Sequence, residues 1–450
     1  MGTTEASAWE GINADLLPDG FPFLADFEQG PGSKPGVIIG PVFQFLVDIF
    51  IDGFRTSDKK RRRVPYAARS PDAAITMAHL LAEWWQWLHV DDLAWNQIEA
   101  DDIVRYRNDL SSIVSPKTCE RLSSGTIRNR ISSVLGFYDW AHKRRLIEAA
   151  IVSHEVFVPP QPIDRDPLAH MRSWETPPTR SNLPRNEDIL PRNDTGPQVR
   201  PLNLSALKRV LSVLGPMPSE ASKTALCRDR LAATLSFTTG LRVDEVVWLT
   251  IWQIERLQPN DDNPKMRLPL KVIKTKGACP RVVEIPCWLV AELQQYILTE
   301  RAEATRLGRS RGYLEPRESV DALFVNGPKA GAHIGRRCGR HTFQSAFRKA
   351  VLACELTVEV AKEDPENQRE PWIAIEAAHR YHDLRHTFAI TRYQEERRKG
   401  NQAPWETIQR LLGHRYVTTT LDTYLAHTTG YVTDIIDSVD SAIDSIGRNG

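Results

Sequence analysis

The segment His382-Asp383-Leu384-Arg385-His386-Thr387-Phe388 sets a histidine and an arginine three residues apart. Side chains at this spacing lie on one face of a helix, so the segment predicts that His382 and Arg385 enter the same site. Upstream, Thr239-Gly240-Leu241-Arg242 combines a glycine turn with an arginine that opens a helix. Downstream, His414 follows Leu411-Leu412-Gly413, and Tyr424 lies ten residues further along the chain.

A predicted β-hairpin lies between the two arginines in the sequence. Its strands are the β-rich runs 266–273 and 281–285, and its polar connection is Lys274-Thr275-Lys276-Gly277-Ala278-Cys279-Pro280. Two such runs around a glycine-containing turn are typical of a hairpin. Lys276 is expected at the tip, and Lys274 remains an alternative for the same role.

These residue types suit the transfer of a phosphoryl group. Guanidinium groups pair with the non-bridging oxygens of a phosphate through charge-assisted hydrogen bonds. A tyrosine hydroxyl, with an ordinary pKa near ~10, becomes a nucleophile when cations lower its pKa or a base takes its proton. A lysine can protonate the departing 5′ oxygen of a DNA strand. No carboxylate cluster accompanies these groups, so a two-metal mechanism is not indicated.

In order and type, these pieces resemble the active site of the tyrosine recombinase, or phage integrase, family. The family pattern is a T-G-L-R-x-x-E box, a hairpin lysine, an H-x-L-R box, an L-G-H motif and a downstream tyrosine. The resemblance implies that Arg242 and Arg385 clamp the scissile phosphate and that Lys276 is the general acid towards the 5′ oxygen. It further implies that His382 is an acid/base partner of the tyrosine, that His414 hydrogen-bonds the phosphate, and that Tyr424 forms a 3′-phosphotyrosyl link. Glu245, the box glutamate, is expected to support the site.

The chain of 450 residues is long enough for two or three domains. Residues 1–38 are rich in glycine, proline and acidic side chains and are predicted as a flexible extension. Residues 39–155 are predicted as an all-α core-binding domain that contacts DNA, and 201–450 as a mixed α+β, mainly helical catalytic domain. The proline-rich residues 156–200 are predicted as a linker, with an ordered loop over one domain as the alternative.

Apolar periodicity predicts helices in the first domain. A cap at Ser124 precedes a predicted helix at 126–140 whose apolar stripe is Ile127, Ile131, Leu135 and Tyr138. Residues 75–88 and 101–110 are predicted as two more helices, with the tryptophans of 84–87 in the core. In the second domain, 355–370 is a charged insert without a clear pattern. A stripe at 432–446 predicts an amphipathic helix that packs on its own domain or on a neighbouring protomer.

The overall charge does not suggest a protein that coats nucleic acid, because 58 basic residues face 57 acidic ones and the net charge is +1. Local basic groups are therefore the candidates for DNA contact, with solvated loops as the alternative. They are Lys59, Lys60, Arg61, Arg62, Arg63, Arg128, Arg130, Arg336, Arg337 and Arg340.

The six cysteines are scattered without zinc-ligand spacing, which favours a reduced cytoplasmic protein. No signal peptide or membrane span is predicted, and neither a metal nor another cofactor is expected.

The expected function is that of a site-specific DNA recombinase of a mobile element, integrase- or transposase-like. Its expected partners are double-stranded DNA sites and three further protomers, in a homotetramer or a hetero-tetramer with related recombinases. One alternative is a type IB topoisomerase-like or telomere-resolvase-like DNA cutter with the same chemistry. Another is a non-catalytic DNA-binding protein, because the spacing from His414 to Tyr424 is one residue longer than the commonest family form.

Overall fold

The computed structural model describes residues 17, 21–26, 37–51, 71–152, 186–192, 199–221, 225–275, 280–316, 320–367 and 369–414. These residues belong to two compact units, residues 1–195 with 362–371 and residues 196–361 with 372–450. The predicted helix at 432–446 and most of the predicted linker lie outside the described residues. The predicted domain boundaries stay predictions.

Unit 1 is built around four helices that share one apolar core. Its elements are β1 (Ala25–Asp26), β2 (Val37–Ile38), α1 (Gly40–Phe50), α2 (Pro71–Val90), α3 (Ala100–Ser112), α4 (Ser124–Lys143) and α5 (Asn186–Ile189). The predicted helices at 75–88, 101–110 and 126–140 are confirmed as parts of α2, α3 and α4. The two-residue strands β1 and β2 pair antiparallel within the segment 1–38, which is predicted as a flexible extension.

The apolar stripe of α4 is confirmed, because Ile127, Ile131, Leu135 and Tyr138 are all buried. The predicted cap at Ser124 is wrong by one residue. The side chain of Ser123 accepts a hydrogen bond from the backbone N–H of Thr126, and Ser124 is the first helical residue. Two adjacent serines satisfy the sequence rule equally well, and only the backbone geometry at the helix start selects between them.

Unit 2 contains nine helices and two small sheets among its described residues. The helices are α6 (Leu204–Val213), α7 (Arg228–Thr239), α8 (Val243–Val247), α9 (Ile251–Glu255), α10 (Cys287–Tyr296), α11 (Ala302–Ser310), α12 (Arg340–Ala353), α13 (Asp383–Arg398) and α14 (Pro404–Leu412). A π-helical turn, Ile297–Arg301, joins α10 to α11. The strands are β3 (Arg267–Val272), β4 (Arg281–Pro286), β5 (Thr357–Lys362) and β6 (Trp372–Ala377). A mainly helical α+β unit was predicted, and it is confirmed.

The predicted hairpin is confirmed as the antiparallel pair β3–β4, in which Val272 faces Arg281. The insert at 355–370 differs from its prediction, because β5 lies within it and pairs with β6, which follows it. The apolar side chains that would reveal β6 are largely exposed, with Ile373 at 62% and Ile375 at 69%. Strands that bury little apolar surface give a weak periodic signal.

Helix α7 is the centre of unit 2, because every residue from Arg230 to Thr239 is buried. The hydroxyl of Tyr381, just ahead of α13, donates to the backbone oxygen of Ala232 at 2.8 Å. This bond holds the start of α13 against α7 and thereby positions the segment 382–388. In the part of the chain that the structure describes, no helix is long and apolar enough to cross a membrane.

Candidate active site

The glycine of the first box ends α7. Gly240 has φ +70°, the left-handed conformation that favours glycine at a helix C-terminus. A Cβ placed on it would lie 2.5 Å from the ring of Phe388 and 3.0 Å from Leu412. Backbone conformation and close packing therefore both require glycine here. The turn places Arg242 directly before the first residue of α8.

Arg385 joins three of the sequence motifs. It lies in the first turn of α13 and is 2% exposed. Its guanidinium donates to the backbone oxygen of Gly240 at 2.5 Å and to that of Leu412 at 2.6 Å. The same group lies 3.3 Å from Nε2 of His414. The ends of α7 and α14 are thereby tied to the predicted phosphate clamp, and Arg385 and His414 are brought together.

His414 follows a second left-handed glycine, Gly413, with φ +67°. The backbone N–H of His414 donates to the oxygen of Gln409, whose side-chain amide donates back to the oxygen of His414. Burial lowers the pKa of His414 to about 4, and the positive charges of Arg385 and Arg242 act in the same direction. The imidazole is therefore neutral at pH 7. Because Arg385 donates towards Nε2, the neutral ring carries its proton on Nδ1.

Glu245 supports Arg242. Its carboxylate accepts the backbone N–H of Arg242 at 2.8 Å and the guanidinium of Arg242 at 3.2 Å. The carboxylate is 2% exposed, and burial alone would raise its pKa. The hydrogen bonds and charge of Arg281, together with the backbone N–H of Arg242, instead hold the pKa of Glu245 below its ordinary value.

Arg281 was not among the predicted site residues. It is the first residue of β4 and forms a two-pronged ion pair with Glu245, at 2.6 and 2.7 Å. Its Nε donates to the backbone oxygen of Leu411 at 2.9 Å. The sequence signal is weak, because one arginine at the start of a strand resembles any other basic residue. Only the pairing with the box glutamate distinguishes it.

His382 immediately precedes α13, and part of its surface is exposed. Its ring lies 4.8 Å from that of His386, edge to face. Desolvation by its surroundings lowers the pKa of His382, and the positive charges of Arg385 and Arg242 lower it further. Like His414, it is neutral at pH 7 and can accept a proton.

Lys274 contacts an aromatic ring at the C-terminal end of α8. Its ammonium lies 3.0 Å from the ring centroid of Trp248, and the guanidinium of Arg337 lies 4.5 Å from the same ring. Cations are attracted to the face of an aromatic ring. Lys276 and Tyr424, the other predicted catalytic residues, lie outside the described residues.

The basic residues predicted to contact DNA differ in what they bind within the chain. The run at 59–63 lies outside the described residues. Arg128 donates to the backbone oxygen of Pro191, and Arg130 pairs with Glu83.

Arg336 donates to the backbone oxygen of Tyr313. Arg337 donates to the backbone oxygen of Val247 and to Asp321, and the side chain of Arg340 is 68% exposed. Their contact with DNA stays a prediction.

No group of three or more histidine, cysteine or acidic side chains is placed to hold a metal ion among the described residues.

The lowered pKa of His414 predicts a pH-dependent stability. The unfolded chain binds a proton at this histidine at higher pH than the folded chain does. Its stabilising contribution is therefore complete above pH 6.5 and is lost as the pH falls from 6.5 towards about 4. Chemical denaturation at a series of pH values measures this slope. We expect His414→Asn to reduce the slope and His333→Asn, at an exposed position, to preserve it; equal slopes in both variants would contradict the prediction.

Two sequence comparisons relate parts of the chain to known proteins. Residues 216–430 match the model of the phage integrase family. The chain is 24% identical over 349 residues to "Tyrosine recombinase XerC" of Roseiflexus castenholzii (strain DSM 13941 / HLO8), with 77% of this chain and 81% of that protein covered.

Two solved structures are similar at lower identity. The XerH site-specific recombinase bound to palindromic difH substrate is 13% identical, with 88% of this chain and 94% of that chain covered and a TM-score of 0.49. The Tn1549 transposon integrase in complex with transposon right end DNA is 16% identical, with 90% and 99% covered and a TM-score of 0.44.

Proposed function

We propose that this chain, a member of the phage integrase family by its residues 216–430, is a site-specific recombinase. It cuts and rejoins DNA through a 3′-phosphotyrosyl intermediate at Tyr424. The observation that carries the proposal is the junction at Arg385, where one buried guanidinium meets Gly240, Leu412 and His414. A charge held at the meeting point of three motifs is suited to a pentacoordinate phosphate, on which negative charge accumulates.

Arg242 and Arg385 bind the non-bridging oxygens of the scissile phosphate. Arg242 retains a partly exposed side chain, at 25%, while Glu245 fixes its orientation. The Nδ1–H of neutral His414 is a further donor to these oxygens. Donors that are fixed before the reaction require little rearrangement as charge develops, and such preorganised groups supply the larger part of many rate enhancements.

Two proton transfers accompany strand cleavage. Neutral His382 accepts the phenolic proton as the oxygen of Tyr424 attacks phosphorus. Lys276 gives a proton to the departing 5′ oxygen, so that the P–O5′ bond breaks and a 3′-phosphotyrosyl bond replaces it. In the rejoining step a 5′ hydroxyl attacks the same phosphorus and releases the tyrosine. The bond energy is conserved throughout, which is why no nucleotide cofactor is required.

Complete strand exchange joins two double-stranded DNA sites and uses four protomers, as a homotetramer or with related recombinases. The basic run at 59–63 and the residues Arg128, Arg130, Arg336, Arg337 and Arg340 are proposed to contact the DNA backbone. The side chain of Arg340 is 68% exposed and lies 4.0 Å from Asp244, so its guanidinium is accessible to a DNA phosphate. Such contacts position DNA without reading its sequence.

The experiment that tests this function uses DNA that flanks the chain's own gene, with nicked sites that trap the covalent intermediate. Wild type is expected to form a protein–DNA adduct that survives a denaturing gel, and Tyr424→Phe is expected to form none. An adduct in both would contradict the assigned nucleophile. Tight, specific binding without an adduct in either would favour a non-catalytic DNA-binding protein.

A second assay separates recombination from the topoisomerase-like alternative. Two DNA molecules that carry the same site are expected to exchange strands. Relaxation of supercoils without exchange would contradict a recombinase and favour a type IB topoisomerase-like enzyme.

The two hairpin lysines are expected to differ in effect. Lys276→Ala should lower the single-turnover cleavage rate by ~10²–10⁴-fold, the usual contribution of general acid catalysis. Lys274→Ala removes only a cation–ring contact worth about 0.5–1 kcal/mol at an exposed site. The check is a DNA substrate whose 5′ leaving oxygen is replaced by sulfur, which departs without a proton. Recovery of cleavage by the Lys274 variant but not the Lys276 variant would reverse the assignment.

A further inference from the structure

The ion pair between Arg281 and Glu245 contacts Arg242, one of the proposed phosphate-binding groups. Both partners are nearly inaccessible, with side-chain exposures of 9% for Arg281 and 2% for Glu245. Buried ions are stable only when their hydrogen bonds are satisfied, and here both carboxylate oxygens and three guanidinium nitrogens are engaged. An arginine bound in this way acts on the reaction through the residues that it holds.

On one side, Arg281 orients Arg242 through the shared carboxylate. Oε1 of Glu245 accepts from both guanidinium groups, at 2.6 Å from Arg281 and 3.2 Å from Arg242. Oε2 accepts from Arg281 at 2.7 Å and from the backbone N–H of Arg242 at 2.8 Å. The carboxylate therefore has one orientation that satisfies all four donors, and Arg281 supplies its two shortest contacts.

On the other side, Arg281 holds the turn that carries His414. Its Nε donates to the backbone oxygen of Leu411, three residues before the histidine. Its side chain also lies against Gly413, where an added Cβ would be 2.8 Å from Cδ of Arg281. The aliphatic part of the Arg281 side chain thus packs directly against the left-handed turn at Gly413, and no side chain would fit between them.

We propose that Arg281 is a positioning residue that couples Arg242 to His414, so that both phosphate-binding groups are set by one buried guanidinium. This inference rests on the proposed function, because it assigns Arg281 a part in the same cleavage step. Arg281 itself does not touch DNA. A displacement of about 1 Å in a catalytic group can lower a rate by roughly 10²-fold, so a residue that fixes two such groups has a large effect on the rate.

Loss of Arg281 also changes the charge state of the site. The hydrogen bond and charge of Arg281 counter the effect of burial on the pKa of Glu245, the backbone N–H of Arg242 and the charge of Arg385 lower this pKa further, and the charge of Glu245 raises the pKa of His382. Without Arg281, burial raises the pKa of Glu245, which then takes up a proton as the pH falls. A protonated Glu245 no longer holds the guanidinium of Arg242 by charge, so the cleavage rate of the variant falls at acidic pH.

The test measures single-turnover cleavage, from pH 5 to 9, of a suicide substrate, the DNA whose nicked sites trap the covalent intermediate. The proteins compared are wild type, Arg281→Gln, Arg281→Lys and the double variant Arg281→Gln/Glu245→Gln. Arg281→Lys retains the charge but cannot reach both oxygens of Glu245 and the oxygen of Leu411. We expect each single variant to cleave about 10²-fold more slowly at pH 8 while binding the DNA within twofold of wild type. Arg281→Gln should lose further activity as the pH falls, and the double variant should not show this additional loss.

The matched control is Arg392→Gln, which removes a buried arginine of the same unit that pairs with Glu284 and Glu395. If the role of Arg281 is purely structural, Arg281→Gln and Arg392→Gln should lose equal amounts of melting temperature and of activity. The pH profile of Arg281→Gln should then show no additional loss of activity at acidic pH. That result would overturn the inference, as would a cleavage rate for Arg281→Lys equal to that of wild type. If wild type itself forms no adduct, the proposed function fails and the inference fails with it. If wild type cleaves and Arg281→Lys matches it, only the inference fails.

Discussion

Substitution of Arg385 by glutamine is expected to lower the rate of DNA strand cleavage by about 10³-fold, because one preorganised cationic donor to a developing oxyanion contributes ~10²–10³ or more. Arg385 is 2% exposed and has no bulk water to replace its charge. Glutamine retains hydrogen-bonding capacity but loses the charge and the fork of donors that reaches Gly240 and Leu412. Arg385→Lys is expected to lose nearly as much activity, since one ammonium cannot replace a planar fork. The measurement is single-turnover adduct formation.

A control for the stability of Arg385 variants exists in the same unit. Arg301 is 7% exposed, and its guanidinium also donates to two backbone oxygens, those of Ala322 and Val320. Arg301→Gln should therefore lower the melting temperature by a comparable amount and leave cleavage of the folded fraction unchanged. Equal losses of cleavage per folded molecule in the two variants would contradict a role of Arg385 in the reaction.

Gly240→Ala is expected to destabilise unit 2 by about 3 kcal/mol. The left-handed conformation costs an alanine ~1–2 kcal/mol, and overpacking of a tight site adds ~1–3 kcal/mol. Here the added carbon would lie 2.5 Å from the ring of Phe388. Because the oxygen of Gly240 accepts from Arg385, the displaced turn should also lower the cleavage rate of the folded fraction. Denaturant unfolding and single-turnover cleavage measure the two effects.

Gly312 separates the two contributions. It has φ +71°, almost the value of Gly240, but an added Cβ would meet nothing within 4 Å. Gly312→Ala should therefore show only the conformational cost of ~1–2 kcal/mol. If Gly240→Ala were no more destabilising than Gly312→Ala, the close packing of the box glycine against Phe388 would have no energetic consequence, and the prediction would be wrong.

The elements that could be predicted from the sequence have strong local signals. The stripe from Ile127 to Tyr138 repeats at helical spacing, and the glycine-containing turn between two β-rich runs predicts β3–β4. Strands β5 and β6 could not be found in this way, because they face each other and expose Ile373 and Ile375. The choice between Ser123 and Ser124 as the helix cap depends on backbone geometry that adjacent identical residues do not encode.

The candidate site shows the same division. Arg242 and Arg385 can be predicted as candidate site residues because each lies in a short sequence motif whose neighbouring residues form a recognisable pattern. Arg281 could not, because its significance comes from Glu245 and Leu411, which lie 36 and 130 residues away in the sequence. A long-range ion pair leaves no local signal. The sequence also left Lys274 and Lys276 as alternatives; Lys274 lies over the ring of Trp248, and Lys276 lies outside the described residues, so the choice between them stays a prediction.

The most direct measurement is the identity of the amino acid that is bonded to DNA. Wild-type adduct from the suicide substrate is digested with nuclease and protease, and the modified peptide is located by mass spectrometry. We predict a phosphate ester on the side-chain oxygen of Tyr424, attached to the 3′ end of the cut strand. A phosphate on Tyr416 or Tyr431, or a linkage to the 5′ end, would contradict this prediction.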